Sequence, residues 1–247
     1  MSYKYGEGAV IAKIFTEEFG LKSYSIKRSK SKKSKNKISL LDSQSLISIS
    51  GKNNIKKEIQ FLKEINLGYA FQDNTFKKKL IRTFISEVLS KTLIDSERNK
   101  ALFEFIWQTN IDIDQQKKID DTFCLEFMIR LSNFLGIYPS TENMHFDFFN
   151  LNNGIFTEEN VAGELSLKGE NLVYLKKIIK KEKVNIPAKN RQELIENIFE
   201  YFTYHHYNLS NIKSYNVILS LQYNEKIYYN ILHTYMLFIK ISEYPIA

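Results

Sequence analysis

A chain of 247 residues, 43% of them hydrophobic, can bury a sizeable core, and its length between one large domain and two modest ones predicts two. The 35 Lys+Arg against 28 Asp+Glu leave a formal charge of +7, which points to a negatively charged partner: nucleic acid, an anionic membrane surface or an acidic protein tail. The single cysteine, Cys124, excludes an intramolecular disulfide and any multi-cysteine zinc site, and it suits a reducing cytoplasm.

The N-terminus has no apolar signal-peptide core. The longest apolar stretch, Ile227 to Ile241, is interrupted by Asn230, His233 and Lys240 and falls short of the ~20 residues of a spanning helix. A soluble protein with no membrane partner is therefore expected. The cations are not spread evenly. Residues 1–72 hold 14 Lys+Arg and 6 Asp+Glu (+8), whereas residues 73–247 hold 21 and 22 (−1). Drift in an AT-rich genome would scatter the lysines, so this segregation predicts a localised basic surface.

In chain order, Ala9 to Phe15 alternates as a strand does, with Val10, Ala12 and Ile14 on one side and Ile11, Lys13 and Phe15 on the other. Thr16 to Gly20 predicts a turn and Leu21 to Ile26 the returning strand. Ile38 to Ile49 and Ile55 to Ile65 predict two more strands divided by Ser50 to Asn54, so residues 1–72 read as a small β-barrel. From about Asn74 the period changes to three and four. Phe76, Leu80, Ile81, Phe84, Ile85, Val88 and Leu89 mark one face of a helix of about five turns. Further stripes start at Leu102, Ile119, Leu172 and Leu194, giving an all-α domain over 73–247. Gly136 and Pro139 end the Ile119 stripe. Residues 138–167, rich in Asn, Gly and Glu, read as a long irregular insert, and 223–247 as a closing helix or an exposed partner surface.

The sharpest local feature is the run Lys27, Arg28, Ser29, Lys30, Ser31, Lys32, Lys33, Ser34, Lys35, Asn36, Lys37, in which seven of eleven residues are cationic and none is acidic. Each amine near a phosphate releases counterions, so such a loop adds affinity without reading sequence; the plain alternative is a solvated surface loop. Beside it, Lys13 and Lys22 offer amines while Phe15 and Tyr24 either stack bases or fill the core. His205 and His206 point about 100° apart on a helix and make no shared metal site, and His145 and Asp147 lack cysteine partners. No nucleotide-binding loop, nucleophile elbow or zinc-protease motif is present, so neither an enzyme nor a cofactor is expected.

Several segments resemble the RecO family, particularly its Bacteroidetes members: Tyr5-Gly6-Glu7, Ile11 to Leu21, the basic loop with Ser39-Leu40-Leu41, Tyr69 to Gln72, Leu131 to Pro139, Phe149 to Phe156, Asn190 to Leu194 and Ile212 to Ser214. The resemblance implies an α+β protein with an N-terminal OB-fold-like barrel followed by a helical domain. It also implies a bacterial, nucleoid-associated mediator of DNA repair that binds single- and double-stranded DNA, anneals strands, contacts the acidic tail of single-strand-binding protein and, with RecR, helps load RecA. Family members begin with a longer first strand ahead of the Tyr-x-Glu motif, so a missing first strand and an open barrel edge are expected. Some members carry a cysteine cluster in the insert; 138–167 has none, and no zinc is expected. Where some members offer arginines to the acidic tail, this chain has Leu125 and Glu126, leaving Arg130 as a weak substitute. The competing reading is an adaptor that works through the helical domain without binding DNA.

Overall fold

The computed structural model describes residues 3–6, 8–27, 38–41, 45–54, 56–94 and 97–223. Five strands open the chain: β1 (Tyr3–Gly6), β2 (Ala9–Thr16), β3 (Gly20–Lys27), β4 (Leu46–Lys52) and β5 (Ile59–Tyr69). Their order is β1-β2-β3-β5-β4, antiparallel except for the parallel β3–β5 pair. That is the order of an OB-fold. Among the described residues β1 and β4 do not pair, so the sheet curls without closing. A strand does stand at the Tyr-x-Glu motif, but β1 is four residues long and covers only Ala9 to Ala12 of its neighbour.

Alternation sets the inner face. Val10, Ala12 and Ile14 of β2 pack with Tyr24 and Ile26 of β3 and Ile65 of β5. The first hairpin turns as predicted: the Thr16 hydroxyl donates to the Gly20 carbonyl at 2.9 Å and accepts the Phe19 N–H at 3.1 Å, while Gly20 takes φ +66°, which a side chain disfavours. The next two strands are shorter than predicted. Ile38 to Leu41 forms a helical turn, closed by the Leu41 N–H on the Ile38 carbonyl at 3.0 Å, which drops Leu41 into the sheet's core. β5 starts at Ile59 because the Gln60 side chain holds the preceding loop, accepting the Asn54 N–H at 2.7 Å and donating to its carbonyl at 3.0 Å. Ser50 to Asn54 does not divide the strands cleanly either; β4 runs through Gly51 and Lys52, with a register shift at Ser50/Gly51.

Helices follow: α1 (Phe76–Thr92), α2 (Lys100–Gln115), α3 (Phe123–Phe134), α4 (Gly169–Ile179), α5 (Ala188–Tyr204) and α6 (Lys213–Tyr223). The predicted stripes become one apolar core centred on Phe84, Val88, Met128, Leu131, Leu194 and Phe202. Asn99 caps α2 by accepting the Leu102 N–H at 2.9 Å. The Ile119 stripe begins in the loop ahead of α3, and that helix ends where Gly136 takes φ +73°, the Ile137 N–H reaching back to the Ser132 carbonyl at 3.0 Å and the Gly136 N–H to Asn133 at 3.3 Å.

The insert is not irregular. β6 (Phe148–Asn150), β7 (Ile155–Thr157) and β8 (Ser166–Lys168) make an antiparallel sheet in the order β7-β6-β8. Phe149, Phe156 and Leu167 align across it and are buried; Phe149 packs 5.8 Å from Tyr201 of α5. With three residues per strand and one buried side chain in the centre of each, there is no alternation to detect. α6, not anticipated, packs along α1 through Ser214, whose N–H and hydroxyl both donate to Glu87 at 2.9 and 2.6 Å. Of the 223–247 segment, all but Tyr223 lies outside the described residues. Among those described, no helix is long and apolar enough to cross a membrane.

A buried polar knot fixes the chain between β5 and α1. The Asp114 carboxylate, on the last turn of α2, accepts the Tyr69 hydroxyl at 3.0 Å and the N–H groups of Gln72 and Asp73 at 2.9 and 3.0 Å. The Arg82 guanidinium stands 3.9 Å from it and lies over the Phe71 ring at 4.1 Å. Lys78 bridges to Asp73 at 2.8 Å and donates to the Asp114 carbonyl at 2.7 Å. Burial pushes the Asp114 pKa up, but the two backbone donors, the tyrosine and the arginine outweigh it and hold the group below the ordinary carboxylate range.

Candidate nucleic-acid interface

Directly paired residues share a face, so register shows what the outside of the sheet presents. One row crosses it as Ile11, Ser25, Phe61 and Lys52; the next runs Lys13, Ser23 and Ile59. Three strand spacings separate the ends of the first row, roughly 14 Å. Phe61 is 57% exposed and Ile59 39%, an uncommon position for an aromatic ring on a sheet that has a core of its own. The small Ser23 and Ser25 beside them leave the ring uncovered. The Lys57 amine lies 5.8 Å from the Phe61 centroid; Lys52, Lys13 and Lys27 are exposed on this face, and Lys63 sits at the bulge opposite Ser50. An open ring for a base to stack on, encircled by amines that meet phosphates, is the combination by which single strands are bound without sequence preference.

The residues anticipated from sequence divide. Lys13 and Lys27 lie on this outer face, Lys27 paired with Ala9. Lys22 does not join them: it pairs with Ile14 and emerges, exposed, on the opposite face near the hairpin tip. Arg28, Lys30, Lys32, Lys33, Lys35 and Lys37 lie outside the described residues. Phe15 and Tyr24 take the packing role rather than the stacking one. Tyr24 is buried in the sheet's core, where burial raises its pKa, and Phe15 packs against the helices 6.2 Å from Phe103. Phe61, Ile59, Lys57 and Lys52 were not anticipated. The signal for them was the Ile59-Gln60-Phe61 alternation, read with the polar residue inside.

On the helical side, Arg130 is exposed with its guanidinium 4.7 Å above the Phe105 ring, which stacks in turn on Phe134 at 4.8 Å and Phe127 at 5.7 Å. Leu125 is buried, and the Glu126 carboxylate accepts the Thr122 hydroxyl at 2.6 Å. His205 packs on Tyr201, its pKa lowered first by burial and then by His206. Among the described residues no three His, Cys, Asp or Glu side chains converge as a metal site would require.

Comparison with known families decides the lineage. The profile described as "Recombination protein O N terminal" matches residues 1–71, and "Recombination protein O C terminal" matches residues 74–215. The chain belongs to the RecO family. Proteins named "DNA repair protein RecO" are similar along most of its length: that of Flavobacterium psychrophilum is 29% identical over 210 residues, covering 82% of this chain and 87% of the relative. That of Azobacteroides pseudotrichonymphae is 28% identical over 225 residues (88% and 93%), and that of Flavobacterium johnsoniae 30% over 182 residues (72% and 75%). Both RecO profiles thus fall on this chain in order, the first on the open sheet and the second on the helices with their small inserted sheet.

Proposed function

We propose that this RecO-family protein is a recombination mediator in DNA repair that holds single- and double-stranded DNA without sequence preference on the outer face of β2, β3, β5 and β4. The exposed Phe61 ring with the Lys57 amine beside it carries this reading, because an uncovered ring among amines on a sheet of OB order fits a nucleic-acid strand. Lys13, Lys27, Lys52 and the Arg28 to Lys37 run supply charge that positions the backbone; Lys22, on the other face, meets DNA only if the strand wraps the hairpin tip. Residues 1–72 thus serve as the DNA-holding part and 73–247 as the part that meets proteins. There Arg130 over its aromatic stack is the candidate contact for the acidic tail of single-strand-binding protein. With RecR, the protein anneals strands and helps load RecA, in the bacterial cytoplasm, with no cofactor and no catalytic step of its own.

Fluorescence anisotropy with a labelled single strand across a salt series tests this. Affinity should fall steeply with salt, with a log–log slope of about −0.7 per phosphate engaged, and the slope should shrink when Lys13, Lys27 and Lys52 are replaced by Ala. Salt-independent binding, or no binding together with retained affinity for an acidic C-terminal peptide, overturns it in favour of a protein adaptor.

A further inference from the structure

The open side of the sheet is bordered by two strand edges that lack a ladder partner among the described residues. β1 pairs with Ala9 to Ala12 and leaves Lys13 to Thr16 of β2 bare on that side. β4 pairs with β5 alone. Both edges line the same cavity, of about 1280 Å³, which takes in Lys13 to Thr16 and every residue from Ser45 to Asn53. Its far wall is helical and apolar, with Leu89, Leu93, Phe103 and Trp107.

Strand direction follows from the pairings. β2 runs against β3, β3 with β5, and β5 against β4, so β2 and β4 point the same way. One strand inserted between them is therefore antiparallel to both, the more stable arrangement on each side. Its inner side chains meet Ile14, Ile49 and Leu62, its outer ones Phe103 and Trp107, so both faces of the insert are apolar. Such a strand enters at the hairpin tip, where Glu17, Glu18 and Glu104 rim the cavity and Lys100 offsets Glu17 and Glu104 at 3.6 and 3.7 Å.

We propose that this slot is a strand-acceptor site: a partner protein donates an extended segment of Val- and Ile-type residues, preceded by basic residues, which pairs with Lys13 to Thr16 and with β4 and completes the barrel. Backbone pairing gives the affinity and the two apolar walls select the side chains, the logic of strand addition at a sheet edge. The site is distinct from the outer face assigned to DNA, because paired strands meet it edge-on.

The probe is a labelled synthetic peptide, Lys-Lys-Val-Ile-Val-Thr-Val, titrated into the full chain, with a control in which the central Val is Pro, which lacks the N–H. Saturable binding of the first peptide only, slower hydrogen exchange at Ile47 to Lys52, and weaker binding to an Ile94→Glu variant are the expected results; Ile94 lines the cavity and is 60% exposed, so the variant folds and keeps its DNA affinity. Equal binding of the Pro peptide shows apolar adhesion and overturns strand pairing. No binding overturns the site, and concentration-dependent self-association that protects β4 without peptide assigns the slot to a second copy instead.

Discussion

Replacing Asp114 with Ala is the most demanding test of how the sheet is joined to the helices. The carboxylate is 1% exposed and the Arg82 side chain 2%. Removing it takes the acceptor from three donors, each net bond contributing about 1 kcal/mol, and leaves a buried guanidinium without its counter-charge. The pair is not in tight contact at 3.9 Å, but breaking a buried pair from one side costs about 3 to 5 kcal/mol because the remaining charge stays desolvated. These effects overlap, so the expected loss is about 4 kcal/mol in total, a large share of the ~5–15 kcal/mol that holds a domain folded. Urea unfolding followed by circular dichroism should show the midpoint fall by roughly 2 M for a slope near 2 kcal/mol per molar. A companion double variant, Arg82→Met with Asp114→Leu, should recover much of the loss, since no charge is then stranded. A loss below about 1 kcal/mol, the size expected of an exposed pair, refutes the reasoning.

The exposed ring gives a second expectation: Phe61→Ala should weaken single-strand binding by about 1 to 2 kcal/mol, five- to thirtyfold, with the salt slope unchanged, because stacking is lost and phosphate contacts are not; anisotropy at fixed salt reads both. Acid sensitivity is a third. The Lys78 amine, with the Thr75 N–H, holds the Asp73 pKa at about 2 against 3.8 unperturbed, and Asp114 is lowered too. Groups whose folded pKa is depressed stabilise above the unfolded value and lose that contribution as pH falls through the folded one, so the thermal midpoint should drop between pH 4 and pH 2. The Lys78→Met variant, which keeps the stem and removes the amine, should flatten that drop. Finally, Cys124 is buried and its thiol pushed up to about 12 by desolvation, so mass spectrometry should find it unalkylated by iodoacetamide in the native state and modified once urea unfolds the chain.

The parts legible in sequence were those with a strong period or a local turn chemistry. Val10, Ala12 and Ile14 alternate over a whole strand, Thr16 to Gly20 carries its own hydrogen bonds, and the stripe from Phe76 to Leu89 repeats often enough to define a face. The candidate site was harder to find because one polar residue reverses the pattern. Gln60 is 4% exposed and faces inward, since its amide satisfies the backbone of Asn54 and Lys57. That exchange turns Ile59 and Phe61 outward, the reverse of what hydrophobicity alone predicts. The parity of Lys22 against Lys13 also needed the register, because nine positions along a hairpin do not by themselves say which face each residue takes. The strands of the insert are too short for period-two reading, and α6 is recognisable only from its packing on α1.

The connection between sheet and helices has a mechanical meaning. A loose tether would let the two halves swivel and dissipate tension, whereas here the carboxylate, the guanidinium and the Phe71 ring grip the six-residue crossing as a rivet grips two plates. Pull on a strand held at the front would therefore be delivered to α1 and α2 as torque, and a protein seated on those helices would sense the load.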